Sequence, residues 1–302
     1  MVHPLRQYNL PMKRSFFPTP FLHIPVGVKL AHFLSQWQLI TSDKWVPSVL
    51  RGGSGTSGPE STSIVISSSN MSVTRDPDRN LLLQEEVHTL LQKGTVELVN
   101  PPLTPGFYSH LFGKMRPVIG LSVLNQHLIV PNFKMETNRS IRGSIHLGMW
   151  TTSLDLTDGY FHIPISPKFR KFLIFVWEDG VYAFKRLPFG LSTAPLVFTR
   201  IFQAVIAHLH SQSIFIHSYL DNSLLKNMSQ FLLRDCTHFV IGLLLKLGFL
   251  ISWKKSELVP SQDFIFLGDH YQTDLGLVFH PRGKNCNPTI SGEQIFSGII
   301  SN

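Results

Sequence analysis

The stretch from Trp150 to Tyr271 constrains the fold more than any other part of the chain, because its apolar spacing changes period in a definite order. TTSLDL reads as a strand that ends in the polar residues Asp155, Thr157 and Asp158. KFLIFVWEDGVYAFKRL reads as a hairpin turned at Asp179-Gly180, a pair suited to a two-residue loop. Ser192 or Thr193 then caps a long helix running to about Ser211, with Pro195 tolerated in its first turn. IFIHSYLDNSLLK reads as a second hairpin with Asp221-Asn222 at its tip. Ser229 caps another helix, whose expected buried side carries Leu232, Leu233, Cys236, Phe239, Val240, Leu243, Leu244 and Leu247, with Gly248 at its end. FLISW and DFIFLGDHY read as further strands. This order predicts an α+β fold with helices on one face of a mostly antiparallel sheet.

Upstream the pattern is looser. Residues 1–51 mix proline, basic and aromatic residues, and the spacing from Val28 to Trp37 predicts a short helix with Leu30, Phe33, Leu34 and Trp37 on one face. Residues 52–70 are Gly/Ser-rich and read as a linker. Asn80 is the expected cap of a helix over LLLQEEVHTLLQK, stopped by Gly94; TVELV then reads as a strand, and residues 107–121 as paired strands turning near Gly113. The expected division is an N-terminal extension (1–51), a linker (52–79), the folded unit (80–279) and a tail (280–302) without clear periodicity from Pro281.

At 302 residues and 43% apolar, the chain is long and apolar enough to bury a sizeable core. A formal charge of +8 suits a polyanionic partner, nucleic acid first; a solvated basic surface is the competing reading. Cys236 and Cys286 form no Cys-x-x-Cys pair, which argues against a zinc or disulfide framework and fits a reducing compartment. The first residues lack an apolar signal-peptide core, and the most apolar stretch, from Val240 to Ile251, is interrupted by Lys246 and too short to span a bilayer. The expectation is an intracellular protein, cytoplasmic or nuclear, without a membrane partner.

Asp155 at a strand end and Asp221 at a hairpin tip are 66 residues apart (221 − 155). If their strands are neighbours, both carboxylates enter one cleft. Two such groups repel, and one holds a proton unless a cation neutralises them. Mg²⁺ takes one or two carboxylates plus substrate phosphates, and a pair of ions can clamp both oxygens of a phosphoryl displacement. On spacing alone, Asp221-Asn222 and Asp158-Gly159 read first as plain turns.

SLDLTDGYFHIPI, RLPFGLSTAPLVFTRIF, YLDN, LGFLISWKKSEL and FIFLG occur in this order, preceded by RPVIGLSVLNQHLIVPNFKMET. Together they resemble the palm motifs and fingers segment of reverse transcriptases. FKMET and LPFGLSTAP are most similar to the DIRS-type, tyrosine-recombinase retroelements, and HFLSQWQLITSDKWV resembles the stretch ahead of that domain. The resemblance covers roughly residues 27–50 and 80–279.

It implies a right-hand polymerase palm with partial fingers and a largely missing thumb. It also implies an RNA-directed DNA polymerase of a retrotransposon, using two Mg²⁺ ions (Mn²⁺ as an alternative), a primed RNA or DNA template and deoxynucleoside triphosphates. Asp155, the backbone of Leu156, Asp221 and the Asn222 position are then the metal site. Arg116 would pair with triphosphate, and Tyr160 would lie under the incoming sugar, or else be a core aromatic. Phe189 and Gly190, after Pro188, would abut nucleotide and template. Lys254 or Lys255 would protonate pyrophosphate, or be solvated; Phe266, Leu267 and Gly268 would hold the primer end.

Three departures accompany the resemblance. Asn222 stands where the family motif has a second aspartate, so an uncharged amide replaces a carboxylate. The fingers segment is short, with Lys114 as the one candidate for a lost phosphate-binding lysine and Gly120 where relatives carry aspartate. The third is the tail, which is expected to be too short for a thumb and ribonuclease H domain. Impaired polymerase, non-catalytic nucleic-acid-binding remnant and unfolded relic are the three readings that follow.

Overall fold

The computed structural model describes residues 25–55, 77–100, 106–113, 117–279 and 292–294. The first elements are the helices α1 (Lys29–His32), α2 (Leu34–Ile40) and α3 (Trp45–Gly52). The helix expected over residues 28–37 is therefore two helices, broken at Phe33. Its apolar face is nonetheless used. Trp37 is fully buried, donates from Nε1 to the Leu247 carbonyl at 3.0 Å, and meets the Phe249 ring edge-on at 5.8 Å. Val26, Leu30, Trp37, Val46 and Leu50 join the main hydrophobic cluster.

Helix α4 (Pro77–Gln92) starts before the expected cap at Asn80. Proline is tolerated in a first turn, and Asp78 there complements the helix dipole. Gly94, at φ 65°, ends the turn that follows, as expected. Then come β1 (Val96–Leu98), β2 (Tyr108–Gly113), β3 (Pro117–Ile119), α5 (Ser122–Gln126) and α6 (Asn138–Arg142). The expected pairing across residues 107–121 is present: β2 and β3 are antiparallel, Gly113 opposite Pro117.

The central strand β4 (Trp150–Asp155) is followed by α7 (Pro167–Arg170), β5 (Ile174–Trp177), β6 (Gly180–Phe184) and α8 (Ala194–Ser211). Trp177 pairs with Gly180, so the hairpin loop is Glu178-Asp179, one residue earlier than the DG pair suggested. Glu178 takes the left-handed conformation there, at φ 49°. Strands β1, β6, β5, β2 and β3 form one sheet in that order, parallel only between β2 and β5.

The second sheet carries the site. It uses β7 (Ile216–Tyr219), β8 (Asn222–Asn227) and, after α9 (Gln230–Lys246), β9 (Glu257–Ser261), in the order β7-β8-β4-β9 and antiparallel throughout. Helix α9 packs across β4, β8 and β9, and α8 packs on β7. Ser229 caps α9 as expected, accepting from the Leu232 amide. The buried stripe is rotated, however. Leu233, Thr237, Val240, Ile241 and Leu244 face inward, while Leu232 and Phe239 are exposed. The buried Thr237 hydroxyl lies 2.8 Å from that of Thr152 on β4 and bonds the Leu233 carbonyl, which sets the helix's rotation. Apolar residues surround α9, so their spacing could not reveal this.

FLISW contributes only an isolated bridge between Ile251 and Leu156, and the edge strand is β9 instead. DFIFLGDHY splits into a hairpin, β10 (Asp263–Phe266) and β11 (Asp269–Gln272), continued by β12 (Leu277–Phe279) and β13 (Gly292–Gln294) in a third sheet.

Candidate active site

Asp155 ends β4 directly opposite Asn222, the first residue of β8. Tyr219 pairs with Asn222, so the loop between β7 and β8 is Leu220-Asp221, not Asp221-Asn222. Leu220 makes the turn at φ 55°. The Leu156 amide donates to the Asp221 carbonyl at 2.9 Å, locking the two chain segments together just beyond the paired residues. Asp155, Leu156, Asp221 and Asn222 are therefore gathered at one end of two adjacent central strands.

The stretch after α9 wraps Asp155. Its amide donates to Ser256 Oγ at 3.0 Å, and its carbonyl accepts from the Ser252 amide at 2.8 Å. Lys255 Nζ stands 3.8 Å from Asp155 Oδ1, an ion-pair distance, whereas Lys254 is exposed and no contact brings it to the carboxylate. Oδ1 is buried and accepts no hydrogen bond among the described residues. An unsatisfied anionic oxygen is costly to bury, which suits a cation rather than a neutral neighbour.

The turn after β4 brings an aromatic wall to these residues. Asp158 sits in the left-handed region and pairs with Lys93 at 2.9 Å. A Cβ on Gly159 would lie 3.1 Å from the Asp221 Cβ and 3.3 Å from Phe198, so glycine lets the turn approach Asp221 without displacing either neighbour. Tyr160 follows. Its ring lies 5.1 Å from Phe189 and 5.6 Å from Phe198, centre to centre. Burial, with the Asp221 and Tyr219 charges adding to it, pushes the Tyr160 hydroxyl up to about 12, so it stays neutral. Residues 188–191 form a turn with Gly190 at φ 92°, the third-position conformation of a type II turn. Tyr160 therefore packs on Phe198 and lies close enough to Asp221 to feel its charge.

The remaining candidates lie apart. Phe266 is buried in a second cluster with Ile141, Ile145, Leu224 and Tyr271. Leu267 and Gly268, at φ 49° and 88°, make the two-residue turn, and the Leu267 carbonyl accepts from Asn138 Nδ2 at 3.2 Å. Arg116 and Lys114 fall outside the described residues. Several residues that hold the site were not anticipated: Ser252 and Ser256 around Asp155, Lys93 at Asp158, and His162. The buried His162 ring joins the Gly159 carbonyl (Nδ1, 3.2 Å) to the Leu250 amide (Nε2, 3.3 Å). Nothing in their sequence spacing marks them, since every partner is distant in the chain or a backbone atom.

Among the described residues no group of three or more His, Cys, Asp or Glu side chains is gathered to hold a metal ion. With Asn222 in place, the strand ends offer two carboxylates and an amide. This all-oxygen donor set fits a hard divalent cation.

An antiparallel sheet with carboxylates at one end of its central strands, helices packed against it and an aromatic wall beside the carboxylates has the layout expected of a polymerase palm. The profile of the reverse transcriptase (RNA-dependent DNA polymerase) family matches residues 110–271, and the chain belongs to that family. It is 26% identical over 195 residues to the Pro-Pol polyprotein of simian foamy virus type 1, covering 64% of this chain and 16% of the polyprotein. It is 29% identical over 147 residues to Protein P of duck hepatitis B virus (isolate brown Shanghai duck S5), covering 48% of this chain and 18% of that protein. The crystal structure of prototype foamy virus protease-reverse transcriptase shares the fold, with a TM-score of 0.57 at 23% identity over 71% of this chain and 28% of that one. The chain is a reverse transcriptase domain homologous to viral Pol and spans less than a third of the length of these relatives.

Proposed function

We propose that this domain is the fingers and palm of a retroelement RNA-directed DNA polymerase whose nucleotidyl transfer is weakened by Asn222. The observation that carries the reading is the pairing of Asp155 with Asn222 across β4 and β8, with Asp221 adjacent and the buried Asp155 Oδ1 unsatisfied. Asp155, Asp221 and the Leu156 backbone would hold Mg²⁺ or Mn²⁺, which would supply the positive charge that stabilises the attacking and leaving oxygens. Tyr160 and Phe189 present a surface for a nucleotide's sugar and base, and Lys255 is a proton source for pyrophosphate. Arg116 is assigned to the triphosphate and residues 266–268 to the primer end on motif resemblance. FKMET and LPFGLSTAP favour a DIRS-type element as the source. Solved foamy virus protease-reverse transcriptases bound to RNA/DNA hybrid and to double-stranded DNA support a primed template as partner.

Primer extension on an RNA template tests this, with Mg²⁺ or Mn²⁺, using the wild-type chain, Asn222→Asp and Asp155→Asn. Restoring the second aspartate should raise the rate by about 10²-fold, the scale on which single electrostatic groups act, and Asp155→Asn should abolish extension. Absence of extension by both the wild type and Asn222→Asp would sink the catalytic reading.

The second reading, a non-catalytic nucleic-acid-binding remnant, is favoured by the missing charge at Asn222 and by the net +8. It expects template–primer binding that weakens steeply with salt while no variant extends the primer.

A further inference from the structure

The loop that carries Phe189 and Gly190 has a second support that the motif reading leaves out. Asn125, partly buried on the short helix α5, reaches it with both ends of one amide. Its Nδ2 donates to the Gly190 carbonyl at 2.8 Å, and its Oδ1 accepts from the Ser192 amide at 2.9 Å. These bonds flank Leu191, which is buried. A planar amide bonded at both ends fixes position and orientation together, and the 65 and 67 residues between partners make this a tertiary tie.

The tie also completes the start of α8. Thr193 holds the N-cap position but makes no side-chain cap, and the hydroxyls of Ser192 and Thr193 are buried without partners among the described residues. Asn125 supplies an acceptor for the amide one residue ahead of that N-cap, from another element.

We infer that Asn125 is a positioning residue for nucleotide binding: it clamps the turn at residues 188–191, so that Phe189 is held against Tyr160 beside Asp221. The inference rests on the polymerase reading and deepens it. Because α5 follows β3 after only Gly120 and Leu121, the same amide ties the fingers strand to the palm loop. Deoxynucleotide affinity should depend on it strongly, and template–primer affinity, spread over many phosphate contacts, only weakly.

The test uses the full chain and its Asn222→Asp variant, each with Asn125→Ala or Asn125→Asp. Amide hydrogen exchange at Ser192 and extension of oligo(dT) on poly(rA) with dTTP are measured. Asn125→Ala should speed Ser192 exchange and raise the dTTP KM, each by about tenfold, with kcat and template–primer Kd within about threefold. Asn125→Asp keeps the acceptor for Ser192 but cannot donate to Gly190, so exchange should stay slow while KM still rises. Unchanged exchange and KM would overturn the inference. So would a tenfold rise in KM accompanied by equal losses of kcat, template affinity and melting temperature, the mark of a general structural role. If no chain extends the primer, the polymerase reading fails separately. Accelerated Ser192 exchange in Asn125→Ala then still supports the clamp, and unchanged exchange removes it.

Discussion

Asp155 holds a buried carboxylate oxygen that accepts no hydrogen bond among the described residues, with Lys255 only at 3.8 Å. A side chain kept in that condition opposes folding while it serves a cation. Asp155→Asn should therefore stabilise the metal-free protein, by about 1 kcal/mol, and erase any rise in melting temperature on adding Mg²⁺. Thermal scans with and without the ion measure both effects; an unchanged Mg²⁺ response would remove Asp155 from the site. His162 behaves oppositely. Burial lowers its pKa from 6.5 to about 4, and the neutral ring needs Nε2 as an acceptor for Leu250. The folded state thus prefers the neutral form. Its contribution is complete above the unfolded value of 6.5 and is lost as pH falls through about 4, worth up to about 3 kcal/mol. Denaturant titrations between those limits should show that loss, and His162→Asn should flatten it.

At the scale of elements, the left-handed glycine that ends α9 is a sharp requirement. Gly248 sits at φ 93°, and a Cβ there would lie 2.8 Å from the Phe33 ring and 2.9 Å from the Lys29 carbonyl. Gly248→Ala should cost at least about 2 kcal/mol from backbone strain alone, read as a lower denaturant midpoint at unchanged slope. That stop was legible in the sequence, as were β4, both hairpins and the Ser229 cap, because each rests on local period or chain chemistry. The rotation of α9 was not, since a buried Thr152–Thr237 pair decides it from across the sheet. Nor were the loops placed correctly: Trp177 with Gly180 and Tyr219 with Asn222 each shift the turn one residue back. In the site, the two aspartates were legible as a strand end and a hairpin loop. Asn125, Ser252, Ser256 and Lys93 were not, because their meaning lies in partners that periodicity does not reveal.

For the whole molecule, the segment before α4 is where sequence pattern and packing diverge most. Mixed composition suggested an extension, yet Trp37 is fully buried, bonded to the Leu247 carbonyl and set against Phe249. Arg200 of α8 stacks on Trp45 at 3.9 Å, and Ser54 bridges to Ile165. These contacts reach α8, the end of α9 and the stretch before α7, so the segment packs as part of the same core. Trp37→Ala removes a large buried ring and leaves a carbonyl without its donor, a loss of about 3–5 kcal/mol. Because Trp37 and the palm residues share one cluster, that loss should move a single unfolding transition rather than create a second. Far-ultraviolet circular dichroism and aromatic fluorescence, followed through the same urea titration, should shift together. Two separated transitions would mean that residues 25–55 unfold independently, and that the polymerase core is complete without them.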